Sequence, residues 1–243
     1  MRLALRIDDI GASSKRFEVY SKIPGGNLLF LKYLPTFKAW GPYDELSTGQ
    51  WEEIFDVLRE NSAKLTIAIT AGWVEKNGQL ISFPEKFPAQ AAVIKRVLDE
   101  GLVEIANHGL THCVAGKHLP RLFFSNRKFH REFWDWLDEK THYEHIEKAQ
   151  KILQDYFQIK ITTLIPPGNV FSNITVKAAG KFGINLINCY TETTNVGPVR
   201  ILGEENVFVF HDRELVINGT DWLARKLMDL KKNNMEFYFI KEL

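Results

Sequence analysis

Leu3-Ala4-Leu5-Arg6-Ile7-Asp8-Asp9-Ile10-Gly11 opens the chain with the pattern on which the fold turns: an apolar run over residues 3–7 that ends on two carboxylates. Nearly continuous apolar character over so few residues suits a strand of a parallel sheet covered on both faces. Comparable runs recur at 64–69, 102–106, 161–165, 184–187 and 207–210, and 236–240 closes the chain. Helical periods lie between them. Trp51, Ile54, Phe55 and Leu58 fall at i, i+3, i+4 and i+7, behind Ser47 and Gln50 in capping-box spacing. Thr141 with Glu144 offers the same box ahead of Ile146, Ala149, Leu153 and Tyr156, and Gly101 stands where a C-terminal glycine belongs after 88–100. A last helix is expected over 221–231. Strand followed repeatedly by helix points to an α/β fold, and seven or so strands lean it toward a parallel barrel.

Composition narrows the function classes. The 243 residues hold 31 basic and 30 acidic side chains with no long block of one sign, so there is no electrostatic footprint for nucleic acid. No apolar run is long enough for an integral membrane segment or a secretory signal, and a cytoplasmic protein is the expectation. Only Cys113 and Cys189 occur, which fits neither a disulfide scaffold nor a four-cysteine zinc site. With no linker, repeat or low-complexity stretch in view, 1–243 reads as a single catalytic domain, interrupted by two excursions longer than ordinary loops, at 12–46 and 114–140. In the second, Phe129, Phe133, Trp136 and Leu137 have the spacing of a short helix packed on the body. His118, His130, His142 and His145 read as solvated or helix-capping residues.

In parallel α/β folds, functional groups collect where strands end. The first strand exit gives Asp8 and Asp9, the third gives Asn107, His108 and His112, the 161–165 strand gives Pro166, Pro167, Gly168 and Asn169, and the 207–210 strand gives His211 and Asp212. Adjacent carboxylates on an apolar strand are costly unless a cation or hydrogen-bond donors offset their repulsion; the competing reading is an acidic turn capped by amides. Histidines four apart, with Gly109 between them, can meet across a tight turn. One carboxylate with two histidines is the donor set of hydrolytic zinc sites and of non-haem iron sites. Cleaving an amide or ester further needs a base, an oxyanion donor and an acid for the leaving group. One of the two aspartates can serve as base, Gly168 as amide donor and His211 as acid.

The ordered set Arg6-Ile7-Asp8-Asp9-Ile10-Gly11, His108-Gly109-Leu110-Thr111-His112, Ile165-Pro166-Pro167-Gly168 and Phe208-Val209-Phe210-His211 resembles the polysaccharide deacetylase family, the NodB-homology domain of carbohydrate esterase family four. The resemblance implies a distorted (β/α) barrel of about seven parallel strands and metal-dependent removal of acetyl groups from N-acetylated sugars. It implies Asp8 as general base, with Asp9, His108 and His112 as ligands of one divalent metal. Zinc comes first, and iron, cobalt, nickel or manganese are compatible. It also implies Gly168, beside Pro167 and Asn169, at the oxyanion and substrate position, and His211 as catalytic acid. Two departures stand out. Ile165 occupies the place of the family arginine that steadies the base, for which Arg6, two residues from Asp8 on one strand face, is the candidate substitute. The family's aspartate-tryptophan motif is not legible, leaving Glu192 or Asp212 to tune His211. The expected partner is an N-acylated sugar, a precursor of a cell-surface polysaccharide. A sugar-binding barrel without catalysis, and a metal hydrolase of another amide or ester, are the competing readings.

Overall fold

The computed structural model describes residues 1–16, 44–117 and 129–243. Its main sheet contains β1 (Arg2–Ile10), β2 (Leu65–Ile69), β5 (Val103–Asn107), β6 (Thr163–Leu164), β7 (Leu186–Asn188), β8 (Thr194–Val196), β9 (Val199–Leu202), β10 (Val207–His211) and β11 (Glu236–Tyr238). Its order is β10-β1-β2-β5-β6-β7-β9-β8, with β11 beside β1. Among the described residues, seven strands from β10 to β9 run parallel, and β8 returns antiparallel at the far edge. The sheet curls as a half-barrel, so the expected barrel of about seven parallel strands is found in an open form. A separate hairpin pairs β3 (Gly72–Val74) with β4 (Leu80–Ser82), and the single-turn helix α2 (Phe83–Lys86) follows it.

Strand alternation sorts side chains into two layers. Outward, Leu5, Ile7, Leu65, Ile67, Val103 and Ile105 join the apolar faces of the helices α1 (Thr48–Glu60), α3 (Pro88–Asp99), α4 (Glu139–Phe157) and α7 (Thr220–Lys232) in the largest core. Trp51, Ile54, Phe55 and Leu58 of α1 are fully buried there, each worth roughly 1.5–3 kcal/mol. The Ser47–Gln50 capping box is formed, with Gln50 N donating to Ser47 Oγ and Ser47 N to Gln50 Oε1. Inward, space is tight: Ala4, Ala68 and Ala106 pack with Ile165, Leu186, Leu202 and Ile240. Beside them, buried Glu104 accepts from Thr66 and Thr163 at 2.9 and 2.8 Å. Ile240, in the turn after β11, thus plugs the end where the strands begin, and leaves the opposite end open.

Several expected elements differ. The cap of α4 is Asp138, whose carboxylate accepts from Thr141 N at 2.7 Å, so Thr141 lies inside the first turn and its box with Glu144 does not form the start. The expected helix through Phe129 and Trp136 is absent over 130–138, which form bends and turns; Phe133 is buried and Trp136 exposed. Most of the excursion at 12–46, and 118–128 of the second, lie outside the described residues, as does His118. His130 and His142 are buried, not solvated; His142 reaches Thr175 Oγ1 and the Trp134 carbonyl, both at 3.0 Å. The short α5 (Asn173–Lys181), α6 (Asp212–Asn218), and the β3–β4 and β8–β9 hairpins carried no sequence signal strong enough to be read. No helix among the described residues is long and apolar enough to cross a membrane.

Candidate metal centre

β1 and β10 lie side by side in register, Asp8 opposite His211, and β2 and β5 continue the row to Asn107. Their carboxyl ends surround a cavity of about 410 Å3 lined by Arg6, Asp8, Asp9, His108, His112, Arg131, Gly168, Asn169, Glu204, Val209, His211 and Arg213. Consecutive strand residues normally face opposite ways, yet Asp8 and Asp9 both reach this cavity. The register slips between Ile7 and Ile10, and Asp9 adopts a left-handed φ of 69°, so a bulge turns the second carboxylate inward.

Asp9 Oδ1 lies 3.0 Å from His112 Nε2 and 3.4 Å from His108 Nε2, and the potential donor atoms of these residues all fall within 4.8 Å of one another. His108 Nδ1 is 2.7 Å from the Ile165 carbonyl, which can only accept, so Nδ1 carries the hydrogen and Nε2 presents its lone pair to the cavity. His112 Nδ1 pairs with Ser14 Oγ at 2.7 Å. Burial would raise the Asp9 carboxyl, but the two imidazoles set against it and the nearby charges of His112 and His211 hold it well below the ordinary range. Ionised carboxylate, imidazoles anchored through Nδ1 and Nε2 atoms converging on one point fit a divalent cation with coordination positions left open.

The histidine turn rests on Glu132. Its carboxylate accepts from Leu110 N and His112 N, each at 2.9 Å, and from Thr111 N at 3.2 Å, and it meets His145 Nδ1 at 2.5 Å. Gly109, at φ 81°, is needed because a Cβ there would stand 2.0 Å from Glu132 Oε2. Burial pushes Glu132 upward, but His145 and the amides outweigh it, and the carboxyl lies below its usual range.

Arg6 is almost fully buried and grips Asp8 with two hydrogen bonds, Nε to Oδ1 at 2.9 Å and Nη2 to Oδ2 at 2.8 Å. It also reaches Asn188 Oδ1 at 2.5 Å and Glu204 at 2.8 Å. Ile165 cannot make such contacts; it is buried inside the barrel, and its carbonyl serves His108.

His211 is flanked by Glu214, 3.4 Å from its Nδ1 and 2.7 Å from its backbone N. Burial would lower the imidazole, but Glu214, Asp9 and Asp8 raise it to about 9, and Glu214 itself falls to about 2. Glu192 is exposed and is not among the residues lining the cavity, while Asp212 is fully buried and pairs with Lys15, which also binds Glu45 at 2.8 Å. Gly168, at φ 60°, and Asn169 line the cavity mouth, with Asn169 Oδ1 accepting from Tyr190 N at 3.0 Å. Pro167 is buried, and a Cβ on Gly109 would stand 3.4 Å from its Cγ. A Cβ on Gly168 would stand 1.6 Å from Arg131 Nε, so glycine allows the arginine to lie across this turn.

Glu132, Glu204, Glu214, Ser14 and Arg131 went unread in the sequence. Glu214 alone left a signal, since it stands three residues after His211, the spacing of a capping box.

A curled parallel half-barrel with its polar groups at the carboxyl ends of the strands is the NodB type of α/β fold. Solved structures share it: a mutant of a CE4-family pseudoenzyme with restored activity superposes with a TM-score of 0.56 at 15% identity, over 100% of this chain and 66% of that one. A family 4 carbohydrate esterase from Bacillus anthracis gives 0.52 at 17% identity over 82% and 77%. A family 4 acetyl xylan esterase from Clostridium thermocellum, solved with cobalt, gives 0.54 at 13% over 100% and 89%. The chain therefore spans slightly less than two thirds of the pseudoenzyme's length. The polysaccharide deacetylase family model matches residues 38–187, more than half of the sequence, and the chain belongs to that family. The matched span holds His108, His112 and Gly168; Asp8, Asp9 and His211 join them through the sheet. No curated protein matches the sequence.

Proposed function

We propose that this protein is a metal-dependent deacetylase that hydrolyses the N-acyl group of a sugar. The observation that carries the reading is the convergence of Asp9, His108 and His112 within one cavity that also holds an arginine-gripped aspartate and a carboxylate-backed histidine. Asp9, His108 and His112 would hold the ion, zinc first among the candidates, and its chemistry would be to polarise the acyl carbonyl and acidify water. Asp8, fixed by Arg6, takes the proton of the attacking water. The Gly168 amide donates to the oxygen on which negative charge develops. His211 gives its proton to the departing amine, and Asp8 is left to return the water proton to solvent. A cavity of about 410 Å3 has the scale of a small-molecule pocket (roughly 300–1,000 Å3), which supports a single sugar unit, such as a cytoplasmic precursor of a surface polysaccharide, as substrate.

Acetate release from N-acetylated mono- and oligosaccharides by zinc-loaded protein, abolished by a chelator, is the expected result. Sugar binding without acetate release by the loaded protein would favour the non-catalytic barrel. Release only from non-sugar amides or esters would favour another hydrolase.

The acid role of His211 predicts a pH profile. A raised imidazole is protonated at neutral pH and loses its proton as pH rises through about 9, a bound dication drawing that point lower. Activity therefore falls on the alkaline side. Glu214→Gln removes a charge that raises His211, so its alkaline limb moves to lower pH in kcat/KM profiles. An unmoved limb would assign the acid role elsewhere.

A further inference from the structure

We infer that Glu132 is the positioning residue of the metal centre: a buried anion that shapes the histidine turn and sets its affinity for metal. This rests on the metal-dependent reading above. The turn from Gly109 to His112 begins and ends in left-handed backbone, φ 81° and 60°, and its three successive N–H groups, from Leu110, Thr111 and His112, converge on one carboxylate. Successive amides in such a turn form a concave anion site. Here the anion is the protein's own side chain. His145 Nδ1 meets the same carboxylate at Oε1, and Gly109 leaves the room that the carboxylate occupies. Glu132 touches neither cavity nor donor nitrogen. Its hold on the His112 amide fixes the backbone from which one imidazole projects, while the Ile165 carbonyl and Ser14 hydroxyl fix the rings themselves. A neutral amide at 132 has one oxygen to offer and turns an NH2 group toward backbone donors, so the turn relaxes and the imidazoles lose their common focus.

The test is Co2+ titration followed by visible absorption, with apo-protein thermal unfolding measured alongside. Glu132→Gln is expected to bind Co2+ about 10–100-fold more weakly than wild type, with an altered ligand-field spectrum. His145→Ala, at a partly exposed site on α4, is expected to lose severalfold in affinity with the fold kept. It decides the matter alone if Glu132→Gln does not fold. A purely structural role would lower the unfolding temperature and leave the spectrum and affinity of the folded protein unchanged. Unchanged Co2+ binding in the folded variants beside normal binding in wild type overturns this inference alone. Failure of wild type to bind Co2+ overturns the proposed metal centre and this inference with it.

Discussion

Asp8→Asn lowers kcat/KM for deacylation by about 100- to 10,000-fold and leaves metal content unchanged. The range is that of a positioned general base, and asparagine keeps the shape while losing the basic lone pairs. Asp8 is the residue to test because the bulge at Asp9 divides the pair: Asp9 Oδ1 faces two imidazole nitrogens, whereas both oxygens of Asp8 face Arg6. The proposed acid-base role and the proposed ligand role therefore fall to neighbouring residues. Near-normal turnover in a metal-loaded Asp8→Asn protein would remove Asp8 from the mechanism.

Arg6→Ala has the largest expected effect on stability. The guanidinium is 1% exposed and binds Asp8, Glu204 and Asn188 at once. Removing one partner of a buried ion pair leaves uncompensated charge and costs about 3–5 kcal/mol. For a chain of this length that is a fall in Tm on the order of 10 °C. Activity falls as well, because Asp8 loses the two hydrogen bonds that aim it, while the three metal-facing residues keep their own contacts. Arg6→Lys does not rescue, since one ammonium cannot replace a planar fork that serves three partners. Unchanged Tm and turnover in Arg6→Ala would mean that the arginine steadies nothing here.

Arg6 also shows what the sequence makes legible. Residues two apart on a strand share a face, and that rule placed Arg6 beside Asp8; the family resemblance supplied the reason to look, since Ile165 stands where the family has an arginine. The long strands were readable because both their faces are covered, and α1 because its apolar stripe and its cap agree. The small edge hairpins were not readable: three or four residues such as Thr194–Val196 carry no period. At α4, Asp138 caps three residues before the Thr141 that has the same nominal spacing, and only backbone geometry separates the two. Glu132 and Glu204 act across gaps of 20 and 198 residues, on the His112 amide and the Arg6 side chain, so no local motif announces them. Adjacency to His211 in sequence singled out Asp212, but the helix that begins there turns Asp212 to Lys15 and brings Glu214 back to the imidazole.

The central claim is that Asp9, His108 and His112 form a metal site, and its most direct test is elemental analysis of wild type beside the Asp9→Ala, His108→Ala, His112→Ala triple variant, both shown by circular dichroism to be folded. About one divalent ion per chain in wild type and none in the variant is the predicted result. Folded wild type that holds no metal, even after reconstitution with zinc, cobalt, nickel, manganese and iron, would contradict it.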